Sequence, residues 1–133
     1  MKTPRGILNC NPANIRLNSQ SFVGELKPSS DRSFKQFKSM TYGVRALMRI
    51  LLTYYHKYNC DTVSKIITRY APSIENNTSA YIAFVCRYMH TEPNTILRLY
   101  IKPDLFPLVE AICKYESNYV PTESMLIDAF LKL

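Results

Sequence analysis

Glycine is scarce in this chain, three residues in 133, which argues against a loop-dominated fold and leaves no phosphate-cradling glycine loop. No window is apolar for the length of a bilayer span, and no long apolar stretch follows Met1-Lys2-Thr3-Pro4-Arg5. These absences predict no membrane span and no standard secretory leader, hence synthesis in the cytoplasm. If such a protein works on a cell wall, it must be carried there or released. The cysteines at 10, 60, 86 and 113 form no CxxC and no zinc-like spacing. Two disulfides are arithmetically open to them. Cys86 and Cys113 nevertheless fall inside apolar helical patterns, where a free thiol behaves as a small hydrophobe, so a reduced set is expected. His56 and His90 have no partner at metal-ligand spacing; no metal and no cofactor are expected, and a zinc amidase or peptidase is unsupported. No serine stands in a nucleophile-elbow context.

What remains is an ordinary core and an excess of positive charge. A chain of this length buries roughly two-thirds of its unfolded surface, and 47% hydrophobic residues suffice for that without staples. Seventeen Lys and Arg against ten Asp and Glu give +7. Such a surface is drawn to polyanions: nucleic acid, anionic membrane, or a wall carrying carboxylates and phosphates. The charges are spread along the chain, so no disordered basic arm is indicated.

Residues 1–38 carry turn chemistry at Asn9, Asn11, Pro12 and Asn14, then at Pro28-Ser29-Ser30. Ile15-Arg16-Leu17 and Ser33-Phe34-Lys35-Gln36-Phe37 alternate loosely, predicting a loop and then roughly two or three short strands. From Thr41 the period changes. Val44, Leu47, Met48, Leu51, Tyr55 and Tyr58 share one face of a helix predicted over 41–58, with Thr41 as N-cap. Arg45, Arg49, His56 and Lys57 fall largely on the other side. A second helix starts at Asp61 or Thr62, buries Val63, Ile66, Ile67 and Tyr70, and closes at Pro72. A third runs over 78–89 with Tyr81, Phe84, Val85 and Tyr88 inward. Pro93 opens a short helix with Ile96, Leu97 and Tyr100. Asp104 caps a longer one whose stripe is Leu105, Leu108, Val109 and Ile112. The last follows Pro121-Thr122 and carries Leu126, Ala129, Phe130 and Leu133. With no repeat or linker, about six helical segments and a small β patch predict one mainly α domain over 1–133, with 1–38 as loop and β lobe and 39–133 as helical lobe.

One more step of four along the stripe of Leu105 to Ile112 lands on Glu116. A carboxylate there is opposed by the negative end of the helix dipole and by partial burial, and both push its pKa upward. A glutamic acid that keeps its proton near neutrality is what a glycosidase needs to protonate a leaving oxygen. The plainer alternative is a frayed helix end with Glu116 in solvent beside Lys114. Glu110 lies off the stripe and is expected to be solvated.

The opening Arg5-Gly6-Ile7-Leu8-Asn9-Cys10-Asn11-Pro12-Ala13-Asn14-Ile15-Arg16 resembles the RGI-x-NNNPxNI signature of small phage and prophage proteins. These are often labelled virion structural proteins, and some are murein-degrading lysins. The resemblance continues through Phe22 and Gly24, Asp31-Arg32-Ser33-Phe34, Tyr42-Gly43-Val44-Arg45-Ala46, Tyr70-Ala71-Pro72 and Glu75-Asn76-Asn77-Thr78, and ends at Ala111-Ile112-Cys113-Lys114-Tyr115-Glu116-Ser117-Asn118. Within it, Ala111-Ile112 with Glu116-Ser117 is similar to the helix end bearing the catalytic glutamate of lysozyme-like lytic transglycosylases and glucosaminidases. Asn11 to Ile15, with Phe22 and Gly24 behind, resembles the asparagine-rich turn and β lobe of the same cleft. The resemblance thus implies a lysozyme-like domain in circularly permuted order, because the glutamate helix comes last here. The glycine usual after the Glu-Asn pair is absent, and Cys10 and Ala13 replace the signature's asparagine and glycine.

Under that resemblance the expected function is cleavage of the murein glycan strand by Glu116, by hydrolysis or by lytic transglycosylation. Hydrolysis calls for a second carboxylate across the sugar. Asp31 is the first candidate and a turn-forming aspartate its alternative; Glu75 is the other, against a dipole-compensating role. Asn11, Asn14 and Asn76 are candidates to bind acetamido groups or hydroxyls, and Asn77 is assigned to a cap. Tyr42, Tyr81 and Tyr119 are candidates for stacking on sugar faces, each with a core role as alternative. The expected partners are murein strands and other virion proteins, with no nucleic acid and no membrane span, for a monomer acting at the bacterial wall. Three rivals stay open: a non-catalytic virion or wall-binding protein, a murein peptidase on the same scaffold, and a basic nucleic-acid-binding helical domain, for which no reading helix or aromatic platform is found.

Overall fold

In the computed structural model, which describes residues 2–74 and 76–133, residue 40 marks the passage from irregular chain to helix. Before it lie α1 (Arg5–Leu8) and an antiparallel pair, β1 (Glu25–Leu26) and β2 (Gln36–Phe37), with Glu25 opposite Phe37. After it come α2 (Met40–Tyr58), α3 (Val63–Tyr70), α4 (Thr78–Met89), α5 (Lys102–Ser117) and α6 (Glu123–Leu131). The described chain is mainly helical with a small β patch, as the hydrophobic periods predict.

The helix starts follow local chemistry. Side chains of Thr62, Asn77 and Thr122 accept the amides of Lys65, Ala80 and Met125, each satisfying a first-turn donor that the helix leaves open. Asn59, His90 and Asn118 end α2, α4 and α5 in the left-handed conformation. The stripes then meet in one core: Leu47, Met48 and Leu51 of α2, Ile66 and Ile67 of α3, and Leu105, Leu108 and Ile112 of α5 are fully buried in it.

Several expectations need correction. The segment after Pro93 is not helical: Leu97 and Leu99 point inward while Ile96 and Tyr100 are 64% and 56% exposed, an alternation of period two. Its backbone is instead satisfied by α3's approach, with Leu97 N–H donating to Asp61 O and Ser64 N–H to Pro93 O. α2 begins at Met40 behind Ser39, so Thr41 is not its cap. α5 begins at Lys102 rather than after Asp104, whose carboxylate lies in the first turn and accepts the amide of Arg98. Arg45, placed largely on the far side of its helix from the apolar stripe, is nonetheless buried, and its Nε–H donates to Lys132 O at the end of α6. Glu110 is half-buried, and burial first, then Glu123, raises its carboxyl above the usual range. The four cysteines are free thiols, three of them buried, as expected. Among the described residues no helix is long and apolar enough to cross a membrane.

The non-helical lobe is fixed to the helices by close approaches at two glycines. A Cβ at Gly43 of α2 would stand 2.1 Å from Cys10 O, and one at Gly6 of α1 would stand 1.9 Å from Ser117 Oγ on α5. Its interior holds a buried ion pair: Lys35 Nζ lies 3.1 Å from Glu25 Oε2, donates to Gln20 O at 2.8 Å, and faces the ring of Phe22. With both charges matched, the pair tolerates its desolvation. The chain from Asn9 to Ile15 is thereby held over the C-terminal end of α5.

Candidate active site

Asn11 shapes the turn above α5. Its fully buried amide accepts the N–H of Ile15 at 2.9 Å and donates to Ile15 O and Lys35 O. The turn carries Asn14 at φ 52, a left-handed geometry that asparagine tolerates. On the helical side, Tyr70 donates to Ala13 O over 2.6 Å and pins the turn to α3.

So placed, the Asn14 amide donates to Glu116 Oε1 at 3.1 Å and to Glu116 O at 3.3 Å. Tyr81, fully buried on α4, donates its hydroxyl to Glu116 Oε2 at 2.8 Å and stacks its ring on Tyr115 at 3.8 Å between centroids. Burial is the largest influence on Glu116 and raises its pKa; the bonds from Tyr81 and Asn14 and the charge of Arg16 pull the other way without cancelling it. The same burial, followed by the proximity of Glu116, lifts the phenols of Tyr70 and Tyr81 well above their usual value. Cys113, one turn before Glu116, stays an inert thiol for the same reasons.

Glu116 opens on a cavity of about 300 Å³ between the two lobes. Asn14, Arg16 and Phe34 line it from the N-terminal lobe, and Tyr54, Tyr70 and Asn76 from the helical one. The Arg5 and Arg16 guanidinium groups both lie over the Phe34 ring, at 4.6 and 5.5 Å. The wall is thus polar and aromatic, with one acid held partly dry.

The other site candidates are distributed as follows. Asp31 does not line this cavity. It takes a two-point ion pair from Arg5 (2.6 and 3.1 Å), a bond from Asn9 and the amides of Ser33 and Phe34, and the arginine above all holds its pKa well below the usual carboxylate range. It is the turn-forming aspartate of the two alternatives. Asn11 is spent on the turn itself. Tyr42 packs against Gly24, with the ammonium of Lys38 at 4.6 Å, and Tyr119 donates to Met125 Sδ; neither lines the cavity. Tyr81 reaches the carboxylate rather than a sugar face. Asn14 and Asn76 do line the cavity, and Glu75 lies outside the described residues. Sequence reasoning missed Arg16, Phe34, Tyr54 and Tyr70 as wall residues. Tyr70 was assigned to the core stripe, yet its hydroxyl marks where that stripe meets the asparagine turn. Among the described residues no group of three or more His, Cys, Asp or Glu could hold a metal ion.

No protein-family model matches the chain. Over 84 residues it is 43% identical to Protein P5 of Pseudoalteromonas phage PM2, a stretch covering 61% of this chain and 52% of that protein. The chain therefore spans about half the length of this relative. The likeness is to a phage protein, in keeping with the phage part of the resemblance carried by the opening motif.

Proposed function

We propose that the chain cleaves the glycan strand of murein, with Glu116 as the acid and then the base. The observation that carries this reading is a carboxyl whose pKa is raised by burial, at the edge of a cavity between a polar loop and an aromatic helical wall. A general acid needs that combination: a proton retained near neutrality, and room beside it for the leaving oxygen. Asn14 and Tyr81 each use only part of the acceptor capacity of their carboxylate oxygen, so a lone pair remains to carry the proton. A cavity of about 300 Å³ is at the small end for ligand sites and suits one sugar ring with its acetamido group.

Among the described residues lining the cavity, Glu116 is the sole carboxylate. One acid that later acts as base is enough for lytic transglycosylation, in which the substrate supplies the attacking hydroxyl. Glu116 gives its proton to the glycosidic oxygen as the bond to C1 breaks. The resulting carboxylate then takes the proton of the substrate's own 6-hydroxyl as that oxygen bonds to C1, leaving a 1,6-anhydro end. Action at the bacterial wall, carried there by a phage particle, belongs to the same proposal.

A second reading is favoured by the inward bonds of both Glu116 oxygens: a structural carboxylate tying α5 to α4 and to the asparagine turn, in a wall-binding phage protein without activity. Zymograms on purified murein separate the two. The enzymatic reading expects clearing by the wild type and a loss of roughly a hundredfold or more with Glu116→Gln, together with anhydro ends in the mass spectrum of the products. Clearing that survives the substitution removes the assignment. Absence of clearing by the wild type, with binding to murein retained, establishes the structural reading.

A further inference from the structure

Arg69, on the last turn of α3, is exposed and stacked across two rings of α2. Its guanidinium carbon lies 3.7 Å from the centroid of Tyr58 and 5.2 Å from that of Tyr54. Among the described residues it makes no ion pair and no side-chain hydrogen bond. A guanidinium held over two rings has less freedom to lose on binding, and with its N–H groups not engaged by other side chains it is suited to grip a carboxylate by two parallel bonds. Other exposed cations are paired with carboxylates: Arg5 with Asp31 at 2.6 Å, Lys65 with Asp61 at 3.2 Å and Lys132 with Asp128 at 3.1 Å.

Its position gives the charge a meaning. Tyr54, under one side of Arg69, is a wall of the Glu116 cavity, and so is the next residue, Tyr70. On the other side Tyr58, Ser64, Lys65 and Thr68 join Arg69 around a shallow depression of about 690 Å³. A polymer leaving the cavity past Tyr54 therefore meets the guanidinium and then this depression.

We propose that Arg69, on its Tyr54–Tyr58 platform, is a second binding site for the strand that enters the cavity, and that it takes a carboxylate of the peptide stem. This rests on murein being the ligand of the cavity. The site asks for a carboxylate on a flexible branch a short way from the sugar being cut, and a murein strand carries its stem carboxylates in that arrangement.

The test uses the full chain with Glu116→Gln, so that nothing is consumed, and measures sedimentation with purified sacculi. Native sacculi are compared with sacculi whose carboxyls have been converted to amides, for Arg69 and for Arg69→Gln; melting curves confirm the fold, and Arg69→Lys serves where the glutamine variant fails to fold. The expected result is roughly five- to tenfold weaker binding of native sacculi by Arg69→Gln and no difference between the variants on amidated sacculi. Equal binding of native sacculi by both overturns the site, as does a difference that persists after amidation. A DNA duplex that displaces the protein in an Arg69-dependent way, with amidation having no effect, also overturns it in favour of a nucleic-acid groove. If neither variant binds native sacculi, murein is not the ligand and the proposed function falls together with this site.

Discussion

Tyr81→Phe probes the acid most directly. The Tyr81 hydroxyl donates to Glu116 Oε2 over 2.8 Å from a fully buried ring, so the substitution removes one donor and leaves the packing in place. A hydrogen bond to a charged acceptor contributes about 1.5–3 kcal/mol, and one to a neutral acceptor about 1 kcal/mol. The difference, about 1 kcal/mol or somewhat more, amounts to a rise of roughly one unit in the Glu116 pKa at ~1.36 kcal/mol per unit. Glu116 already stands above its ordinary value because of burial. A carboxyl raised in the folded state lends stability while protonated, and that contribution is lost as pH climbs through the folded value. Raising the value further makes the variant lose more stability at about pH 8 than at about pH 4. Urea unfolding followed by circular dichroism at both pH values measures the loss, and titration of the Glu116 carboxyl carbon by NMR measures the shift. Equal losses at the two pH values, or a Glu116 midpoint that stays put or falls, would refute the reasoning.

Asp31 carries the opposite sign: its pKa is depressed by Arg5, so its contribution is present above the ordinary carboxylate range and fades as pH falls toward the folded value. Asp31→Asn is expected to lower the melting temperature at neutral pH, the gap to wild type closing on acidification; an equal gap at acid and neutral pH contradicts this. Lys35→Met strands Glu25 in the β lobe and is expected to cost about 3–5 kcal/mol in urea unfolding, with Lys35→Met/Glu25→Leu recovering part of it; a double variant no more stable than the single one contradicts this. Gly43→Ala drives a methyl to 2.1 Å from the Cys10 carbonyl oxygen, an overpacking of about 1–3 kcal/mol that outweighs the ~1 kcal/mol helix preference for alanine. An unchanged or higher melting temperature for that variant would show that the loop yields freely.

The helices were legible where a stripe and a cap agreed. Thr62 before Val63, and Thr122 before the apolar run ending in Leu133, mark their helices in sequence because one side chain supplies the missing acceptor and the next few supply the burial. The segment at 93–100 misled because Ile96, Leu97 and Tyr100 have helical spacing by accident; the structure instead buries Leu97 and Leu99, two apart, and exposes Ile96 and Tyr100. Arg45 misled for another reason: its acceptor is a backbone carbonyl at Lys132, and no pattern in sequence announces a partner that lacks a side chain. In the site, Glu116 could be found as the intruder on an apolar stripe. The donors that hold it, Asn14 from 102 positions away and Tyr81 of α4, are legible in sequence only as candidates to bind a sugar, since no pattern aims either side chain at the carboxylate. Asp31 was legible only as one of two alternatives, and Arg5, which decides between them, belongs to a segment expected to be loop.

These misses share a cause that bears on how the acid is made. α5 alone would present Glu116 on its last turn, where helix ends fray and water restores an ordinary carboxylate. The carboxyl is covered by Tyr81 of α4 and by the N-terminal lobe: Gly6 lying on Ser117, Gly43 lying under Cys10, and Ala13 O bound by Tyr70 hold the asparagine turn at the helix end. Each tie joins the non-helical lobe to a different helix, so no single helix carries the site. The burial that raises the Glu116 pKa therefore comes from the packing of several elements on the helix end, not from α5 alone. The bracketing amide of Asn11 shapes the turn that presents Asn14 to the carboxyl, and the buried Lys35–Glu25 pair orders the lobe from which that turn comes.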